Sequence, residues 1–251
     1  MNTHDRKTAL VTGSSRGIGR GIALRLGQDG VRVGVHYRSN EAAAKGVVAE
    51  IEAAGGSAFS VQAELGVPGD AEALWAAFDQ HSDGLDILVN NVGAEPTEMG
   101  IGGTTPQGFD GVVATNVKAP FFIIQHGLTR LRDGGRIVNI SSGLSRHASS
   151  QPEYVTYAMA KSALDTLTTA LAKQLGPRGI TVNTVAPGLV DTETTAAKLF
   201  NEEARQFAAS LACLGRLGQP DDIASAVAFI ASADGGWVTG QWLDVSGGML
   251  L

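Results

Sequence analysis

The chain has 251 residues, of which 43% are hydrophobic and 18% are charged, and its formal net charge is −6. This length and composition suffice for one domain with a large buried core, and they exclude disordered and fibrous classes. The acidic balance, with no block of basic residues, also argues against nucleic acid as a partner.

Cysteine content and hydropathy indicate which disulfides, metal sites and membrane segments the chain can have. The single cysteine, Cys213, rules out an internal disulfide and a cysteine-rich zinc site, so we expect no metal. Residues 1–7 are polar and contain no apolar signal region, and no apolar run approaches the roughly 20 residues that span a bilayer. We therefore expect a cytoplasmic protein without a membrane partner.

Short apolar runs alternate with segments of helical period along the whole chain. The first four are a strand at 8–12, a helix at 18–26, a strand at 32–37 and a helix at 41–54. Further strand-like runs lie at 58–63, 87–90, 136–141, 181–186 and 242–245. Because these runs are continuously apolar, they predict a parallel sheet covered by helices on both faces. The expected fold is one α/β domain over 1–251, with an open, doubly wound, mostly parallel seven-stranded sheet.

A glycine-rich turn follows the first strand and opens the first helix. Its sequence is Thr12-Gly13-Ser14-Ser15-Arg16-Gly17-Ile18-Gly19. Gly13 permits a tight turn, Gly17 lets the backbone approach a pyrophosphate, and Gly19 lets helix and sheet pack closely. The pyrophosphate would then bind free N–H groups at the helix N-terminus. The turn therefore predicts a dinucleotide site at the carboxyl end of the first strand.

The same residues also fit a second motif. The run from Gly13 to Gly17 reads as Gly-x-Ser-x-Gly, the nucleophile elbow of α/β-hydrolases, with Ser15 as the nucleophile. A hydrolase also needs an acid and then a histidine later in the chain, and the later histidines offer no obvious C-terminal partner. A turn with a purely structural role is a third interpretation.

The second strand favours NADP(H) over NAD(H). An NAD site places Asp or Glu about 20 residues after the glycine turn, where the acid binds the ribose 2′-hydroxyl. No acid occurs between Val31 and Asn40; Arg38 follows the strand instead, and Arg16 lies in the glycine turn. Two guanidinium groups suit a 2′-phosphate through charge-assisted hydrogen bonds. The alternative is that Arg38 is an ordinary solvated loop residue.

Two polar residues in the middle of the chain are further candidates. Asn116 lies in a helical pattern over 109–126, and Pro120 cannot donate to its carbonyl, which is left free to hold a water. Ser142 follows the strand at 136–141, at the carboxyl edge of the sheet, where its hydroxyl can bond a substrate oxygen. A strand-end serine bonded to the local backbone is the structural alternative.

Tyr157 and Lys161 lie four residues apart on a predicted helix, so they share one face with Cβ atoms about 5–6 Å apart. A phenol with a free pKa of about 10 is a poor base, but a nearby ammonium favours its phenolate. Hydride transfer between nicotinamide and a carbonyl or alcohol requires such proton exchange at the oxygen. The pair is the candidate acid-base of an oxidoreductase, although any helix surface can present this spacing by chance.

Two segments beside this cluster have no recognisable motif. Residues 189–218 form a long irregular stretch, which predicts a mobile flap over the substrate with an amphipathic helix near 196–211. Residues 143–153 lie between Ser142 and Tyr157. Both segments are expected to line the substrate, and neither reveals which substrate it is.

Taken together, the motifs resemble the short-chain dehydrogenase/reductase family over essentially the full chain. The matching residues are Thr-Gly-x-x-x-Gly-x-Gly at 12–19, Asn90-Asn91-Val92-Gly93, Asn116, the strand-end Ser142, Tyr-x-x-x-Lys at 157–161, Asn183 to Gly188 and Val238 to Gly248. The resemblance implies Tyr157 as acid-base and Ser142 as polariser of the carbonyl. It implies that Lys161 binds the nicotinamide ribose and lowers the tyrosine pKa, and that Asn116 holds a relay water.

The resemblance also implies a set of cofactor contacts. Asn90 to Gly93 would line the adenine ribose, and residues of the run 187–192 would contact the nicotinamide end. The full expected set is Gly13, Ser15, Arg16, Gly17, Ile18, Gly19, Tyr37, Arg38, Ser39, Glu64, Leu65, Asn91, Val92, Gly93, Tyr157, Lys161, Pro187, Gly188, Val190 and Thr192.

Three departures from the family pattern bear on the site. Val92 replaces the commoner alanine, and Glu64 stands where the family usually has the aspartate near adenine. The interval from Ser142 to Tyr157 is slightly longer than usual, which makes Ser145 a weaker candidate for the catalytic serine. We retain Ser142, because Ser-Ser directly ending a strand is the family's usual placement.

The resemblance is greatest to 3-oxoacyl-acyl-carrier-protein reductases and general ketone reductases, through residues 215–223 and the C-terminal motif. An acidic carrier protein would need a basic patch, for which Arg130, Arg132 and Arg146 are scattered candidates, so a small free ketone or alcohol is an equal expectation. The family implies a homotetramer, with helices around 109–128 and 157–175 and the C-terminal strand between subunits. The alternatives are a serine hydrolase using Ser15 and a catalytically idle NADP-binding protein.

Overall fold

Parallel strands form the centre of the computed structural model, which describes residues 6–199, 201–249 and 251. The strands are β1 (Thr8–Val11), β2 (Arg32–Tyr37), β3 (Ser57–Gln62), β4 (Leu85–Asn90), β5 (Leu131–Ile140), β6 (Thr181–Pro187) and β7 (Trp242–Val245). In this described part they form one sheet in the order β3-β2-β1-β4-β5-β6-β7, and every neighbouring pair is parallel. The expected doubly wound, seven-stranded fold is confirmed.

Helices cover both faces of this sheet. Within the described residues they are α1 (Gly17–Gln28), α2 (Glu41–Ala53), α3 (Asp70–Phe78), α4 (Gly100–Gly103), α5 (Pro106–Val113), α6 (Ala119–Gly127), α7 (Val155–Leu175), α8 (Glu193–Lys198), α9 (Glu202–Ser210) and α10 (Pro220–Ala231). A π-helical turn, Ala114–Lys118, joins α5 to α6, and short 3-10 turns occupy Gly143–Ser145, Ala148–Ser150, Pro152–Tyr154 and Gly176–Arg178. None of the helices in the described ranges is long and apolar enough to cross a membrane.

The strands β1, β4 and β6 are buried along almost their whole length because helices cover both faces of the sheet. In β1, Ala9 and Val11 belong to a core cluster with α1, α2 and α10, while Leu10 belongs to the cluster on the opposite face with α3 and α6. Successive side chains of a strand point to opposite faces, so each strand contributes to two cores. This double burial produces the continuous runs that predicted a parallel sheet.

The order of the strands positions a crevice between β1 and β4. The chain first adds β2 and β3 on one side of β1, and then returns to pair β4 with its other side. Val11 of β1 is therefore in register with both Val35 and Val89. Ligands of open α/β sheets bind at such a reversal, outside the carboxyl ends of the strands. The glycine turn after β1 and Asn91 to Gly93 after β4 meet at this point.

The prediction of one helix near 196–211 is wrong, because the structure has two shorter helices there. Thr192 Oγ1 accepts a hydrogen bond from Thr195 N (3.3 Å) and starts α8, and Asn201 Oδ1 accepts one from Ala204 N (2.7 Å) and starts α9. Asn201 has an extended backbone, which interrupts the helical path. Phe200, between the two helices, lies outside the described residues, as do residues 1–5 of the polar N-terminal run.

The segment 189–218, named the flap, has its two ends joined by backbone hydrogen bonds. Asp191 N donates to Gly218 O (2.8 Å), and Gly218 N donates to Leu189 O (2.9 Å). Arg205 of α9 forms an ion pair with Asp191 (2.5 Å). The flap is thus a closed loop that starts directly after β6, at the carboxyl edge of the sheet.

Candidate active site

The glycine turn is fixed by polar contacts to the residues that follow β4. Asn91 Nδ2 donates to Thr12 O (2.8 Å) and Gly13 O (3.2 Å), and the backbone N–H groups of Asn91 and Val92 donate to Thr12 Oγ1 (2.8 and 3.1 Å). Gly19 faces the same turn, and a Cβ there would lie 2.4 Å from Gly13 O. These contacts explain why the first and third glycines of the motif are needed.

His36, in β2, holds the turn from the other side. Gly13 N donates to His36 Nδ1 (2.8 Å), so the proton of the neutral ring is on Nε2, which donates to Ala63 O (3.1 Å). The backbone N–H of His36 donates to Ser14 Oγ (3.0 Å). Burial lowers the pKa of His36 to about 4, although the bond to Ala63 opposes the shift. The ring is therefore a neutral brace under the turn at physiological pH.

These bonds argue against the hydrolase interpretation of Ser15. His36 is the histidine beside the turn, and both of its ring nitrogens are occupied by backbone groups, so it cannot accept a proton from a serine nucleophile. Ser15 lies partly buried where the turn enters α1. Its position fits a residue that lines a dinucleotide site.

The start of α1 has the features that a pyrophosphate needs. Arg16 occupies the N-cap position with an extended backbone and makes no side-chain capping bond, so the N–H groups of the first turn stay available. Gly17 has a φ of +54°, in the region that favours glycine, and leaves room above the turn. Ile18 follows and packs against the core cluster on this face. The residues present therefore fit the diphosphate of a dinucleotide.

The residues expected around the adenine ribose lie at the ends of β2 and β3. Arg38 and Ser39 are exposed after β2, Glu64 is exposed after β3, and Leu65 packs on the core. Tyr37 is buried among core residues rather than presented to a ligand. Arg16 is exposed in the glycine turn, and no described carboxylate forms an ion pair with it or with Arg38.

Asn116 lies in the π-helical turn between α5 and α6. Its Nδ2 donates to Val112 O (2.9 Å) and to Ala94 O (2.8 Å), which anchors the loop that follows β4. Its Oδ1 is buried without a hydrogen-bond partner among the described residues. The sequence predicted a continuous helix here, and the structure replaces one turn by a wider one. Such π-turns often occur at functional sites.

Ser142 and Tyr157 are neighbours at the carboxyl end of β5. Ser142 is the second residue after the end of β5, and its hydroxyl accepts a hydrogen bond from Leu144 N (3.2 Å). Burial raises the pKa of Tyr157, the negative charge of Glu95 raises it further, and hydrogen bonding with Ser142 lowers it. The net direction is opposite to the lowering that the sequence led us to expect. Burial at this position therefore favours the protonated phenol of Tyr157.

Lys161 lies under this pair, one turn along α7. Its side chain is only 3% exposed, Nζ donates to Ile140 O (2.9 Å), and Nζ is 5.6 Å from the centroid of the Tyr157 ring. Burial lowers the pKa of Lys161 to about 8, and the charge of Asp165 opposes this shift. A Cβ on Gly93 would lie 3.2 Å from Nζ and 3.0 Å from Asn116 Oδ1. The structure thus brings Gly93, Asn116 and Lys161 together.

Ser145, the weaker candidate for the catalytic serine, is turned elsewhere. Trp242 Nε1 donates to Ser145 Oγ (3.2 Å), and Ser162 Oγ donates to Ser145 O (2.7 Å). Hydrogen bonding to Tyr157 comes from Ser142 instead. The geometry therefore favours the choice of Ser142 over Ser145.

The residues expected at the nicotinamide end follow β6 and enter the flap. Pro187 is buried at the end of the strand, Gly188 packs so closely on Ser246 that a Cβ would lie 2.9 Å from its Cβ, and Val190 is buried. Thr192 caps α8, and its Cγ2 would lie 3.5 Å from a Cβ on Gly17. The start of the flap therefore lies directly over the glycine turn.

Three residues that act on the candidate site were not identified from the sequence. His36 braces the glycine turn, Glu95 acts electrostatically on Tyr157, and Asp165 acts on Lys161. Glu95 follows the Asn90 to Gly93 motif by two residues, and Asp165 repeats the four-residue spacing of Tyr157 and Lys161. Those spacings are weak signals, because acids at such positions are usually solvated.

Comparisons with known proteins agree with this geometry. A family model described as enoyl-(acyl carrier protein) reductase matches residues 13–250. The short chain dehydrogenase/reductase AacuN of Aspergillus aculeatus is 39% identical over 253 residues, covering 96% of this chain and 95% of AacuN. A crystal structure of the angucycline C-6 ketoreductase LanV with bound NADP has a TM-score of 0.90 and 48% identity, covering 97% of this chain and 95% of LanV.

A second similar structure is that of LugOII, described as a promiscuous reductase that catalyses keto-reduction at C1 during lugdunomycin biosynthesis. Its TM-score is 0.92 at 46% identity, with 98% of each chain covered. Identity of this level over nearly the whole length, together with the family match, identifies the chain as an oxidoreductase of the short-chain dehydrogenase/reductase family.

Proposed function

We propose that this protein is an NADP(H)-dependent ketoreductase in which Tyr157 is the acid-base, Ser142 binds the carbonyl oxygen and Lys161 assists both. The observation behind the proposal is the grouping of these three side chains at the carboxyl ends of the strands, beside the glycine turn. Bound nicotinamide would supply or accept the hydride. The reverse reaction, oxidation of a secondary alcohol, uses the same groups in the opposite sense.

The protonation states support ketone reduction. Reduction of a carbonyl requires an acid that gives its proton to the oxygen while the carbon receives hydride. Burial raises the pKa of Tyr157, so the phenol is protonated and ready to donate, and the Ser142 hydroxyl stabilises the same oxygen. Lys161, with a pKa of about 8, is mostly protonated at neutral pH. It can donate to the ribose and stabilise the phenolate that remains on Tyr157.

Two arginines support NADP(H) as the cofactor. Arg38 and Arg16 are exposed beside the expected position of the adenine ribose, and no acid lies between Val31 and Asn40 to bind a free 2′-hydroxyl. The crystal structure of LanV, at 48% identity, contains NADP. A phosphate between two guanidinium groups would gain bidentate, charge-assisted hydrogen bonds that a hydroxyl cannot make.

The substrate is proposed to be a small ketone rather than a carrier-linked thioester. Arg130 forms an ion pair with Asp79 (2.5 Å), Arg132 pairs with two aspartates, and Arg146 stacks on Trp242 (4.3 Å from the guanidinium carbon to the ring centroid). These arginines are therefore not grouped into a patch for an acidic carrier protein. LanV is an angucycline C-6 ketoreductase, and LugOII catalyses a keto-reduction at C1, which supports an angucycline ketone as the first compound to assay.

A homotetramer is also proposed. Large apolar side chains are exposed on the two helices that the family uses between subunits. They are Phe121 and Phe122 of α6 and Met159 of α7. Phe229 of α10 is also exposed. Exposed apolar side chains of this size commonly mark subunit interfaces.

The decisive variant is Tyr157→Phe, which keeps the ring and removes the proton. We expect kcat for NADPH-dependent reduction of an aromatic ketone to fall by at least about 100-fold, because general acid catalysis is lost. NADPH affinity, measured by fluorescence titration, should stay close to that of the wild type. Tyr154→Phe, one turn earlier, is the matched control and should retain most of the rate.

Three outcomes would contradict the proposal. Full activity of Tyr157→Phe would remove the proposed acid. A wild-type protein that binds NADPH but turns over no ketone, alcohol or acyl thioester would be the idle binding protein. Ester hydrolysis that depends on Ser15 would restore the hydrolase interpretation.

A further inference from the structure

A polar cluster on the loop after β5, on β7 and on α7 lies next to Lys161, and no part of the proposed reaction uses it. The cluster consists of Ser141, Ser145, Arg146, Asp165 and Trp242. It borders the segment 143–153, which the sequence could not interpret. Its central member is Asp165, one helical turn after Lys161 on α7.

Lys161 needs a counter-charge. The side chain is 3% exposed, and within the described chain its Nζ donates one hydrogen bond, to the neutral carbonyl of Ile140. A buried ammonium with no nearby anion loses its proton readily, because burial favours the neutral amine. Asp165 lies four residues later, on the same helical face, and its charge opposes the effect of burial on the pKa of Lys161.

Asp165 is itself held in a partly buried position. Burial raises the pKa of Asp165, and this effect is opposed by hydrogen bonding with Ser145 and Ser141 and by the positive charges of Arg146 and Lys161. Its Oδ1 is buried and has no hydrogen-bond partner among the described residues. An acceptor in that position is stabilised by nearby cations rather than by water.

Ser145 directs its proton toward Asp165 because its acceptor side is already used. Trp242 Nε1 donates to Ser145 Oγ (3.2 Å), and a hydroxyl that accepts from an indole keeps one proton to donate. Ser162 Oγ fixes the carbonyl of Ser145 (2.7 Å), and Arg146 stacks on the Trp242 ring. The loop after β5, the strand β7 and the helix α7 are thereby joined at one serine.

We propose that Asp165 is a positioning residue whose charge, one helical turn away, keeps Lys161 protonated, and that Ser145 and Trp242 hold Asp165 for this purpose. The inference rests on the proposed function, because the protonation of Lys161 matters there for its bond to the ribose and for its effect on Tyr157. It gives Ser145 a role other than catalysis. The charged groups that act on Asp165 are Lys161 on its own helix and Arg146 on the facing loop.

The first test measures the pKa of Lys161 directly. In protein labelled with ¹⁵N-lysine, the Nζ resonance of Lys161 is titrated by NMR in the wild type and in Asp165→Asn. We expect the Lys161 pKa to fall by about one unit in the variant, because an opposite charge at this range changes a pKa by about that amount or more. Asp165→Glu should restore most of the shift. Asp110→Asn, at an exposed carboxylate of α5, should cause none.

The second test follows the same change in catalysis. The alkaline limb of kcat/KM for ketone reduction should move to lower pH in Asp165→Asn, with little loss of rate at the acid side. Trp242→Phe keeps the ring but removes the bond to Ser145, so it should shift the limb in the same direction by less. If Asp165→Asn does not fold, the titration of Trp242→Phe decides the matter.

The outcomes distinguish this inference from the proposed function. An unchanged Lys161 titration in Asp165→Asn, or a loss of rate that is equal at every pH, overturns the role of Asp165. A shifted titration in a protein that reduces no ketone would leave the contact intact and overturn the proposed function instead. A large loss of kcat in Ser145→Ala at all pH values would mean that Ser145 acts on the substrate.

Discussion

Single side chains decide how this site would handle charge. His36, buried and neutral, turns its two ring nitrogens to two backbone groups and so fixes the shape of the glycine turn without adding charge near a diphosphate. Arg38 does the opposite, since it is exposed and has no carboxylate ion-pair partner among the described residues. His36 therefore shapes the glycine turn, whereas Arg38 would select NADP(H) over NAD(H).

Arg38→Ala tests the choice between the two nicotinamide dinucleotides. In the wild type we expect kcat/KM with NADPH to exceed that with NADH by at least about tenfold, roughly 1.4 kcal/mol, and the ratio should shrink in the variant. The physical reason is the loss of a cation beside the 2′-phosphate. Steady-state kinetics with both cofactors measures the ratio.

The control for this prediction is an arginine that lies away from the turn. Arg25→Ala removes a guanidinium that pairs with Asp29 (3.1 Å) near the end of α1, and it should leave the ratio unchanged. Equal efficiencies with NADPH and NADH in the wild type would contradict the assignment of Arg38.

At the scale of elements, sequence patterns predicted what local burial determines. Strands at 32–37 and 242–245 have the bounds that the structure gives to β2 and β7. In β2 all residues but the first are buried, which is why its apolar run is so clear in the sequence. The helices of the flap were harder to predict. Its apolar positions suggested one helix, but Asn201 caps a second one, and an N-cap inside a helical pattern competes with the pattern itself.

The site could be predicted only where its residues form a motif in the chain. Tyr157 and Lys161 share a helix face, and the glycine turn is continuous, so both are visible in the sequence. His36 reaches Gly13 across 23 positions, and Trp242 reaches Ser145 across 97. Such contacts depend on the order of strands in the sheet, which no local spacing reveals. The direction of the Tyr157 pKa was missed for the same reason, because it depends on burial and on Glu95.

Gly19→Ala tests the contact between α1 and the turn after β1. A Cβ at this position would lie 2.4 Å from Gly13 O and 2.5 Å from Asn91 Nδ2, so the helix or the turn must move. We expect a loss of about 1–3 kcal/mol in the free energy of unfolding, as for other overpacked sites, and weaker NADPH binding. Urea unfolding and fluorescence titration measure the two effects.

Gly46→Ala is the matched control, since Gly46 is exposed in the middle of α2 and a Cβ there would meet nothing within 4 Å. This variant should gain about 0.5–1 kcal/mol of stability through the higher helix propensity of alanine, with unchanged NADPH affinity. A tolerant Gly19→Ala that binds NADPH normally would mean that the close contact is not needed.

At the scale of the whole molecule, the folded state depends on polar groups buried at the centre of the sheet. Asn90 Nδ2 donates to Asn139 Oδ1 (2.9 Å) between β4 and β5, and Asn139 Nδ2 donates to Thr168 Oγ1 (2.8 Å) of α7. Thr168 Oγ1 lies 2.9 Å from Thr184 Oγ1 of β6. This chain of bonds connects the half of the sheet nearest β1 to the helix that presents Tyr157 and Lys161. The network is not fully satisfied, because Asn90 Oδ1 is buried without a hydrogen-bond partner among the described residues. Its other bonds still favour a single arrangement of the core.

Burial of His36 makes the free energy of unfolding depend on pH. Burial lowers the pKa of His36 to about 4 in the folded protein, from 6.5, so the unfolded chain binds its proton more readily between these values. Stability from this group is fully present above about pH 6.5 and is lost as pH falls toward 4, by about 3 kcal/mol in total at about 1.36 kcal/mol per unit. Asp222, whose pKa is lowered to about 2 mainly by Arg216, loses its contribution only below about pH 4. The two acid transitions therefore occupy different pH ranges.

Urea unfolding followed by circular dichroism between about pH 7 and pH 4 measures the dependence. The wild type should lose stability steadily across this range, whereas His36→Asn, although less stable at neutral pH, should lose much less on acidification because the titrating group is gone. His147→Asn, at a half-buried histidine of the loop after β5, should keep the wild-type slope. An equal slope in His36→Asn and in the wild type would show that His36 is protonated without cost in the folded protein, and its two backbone bonds could not then be the brace of the glycine turn.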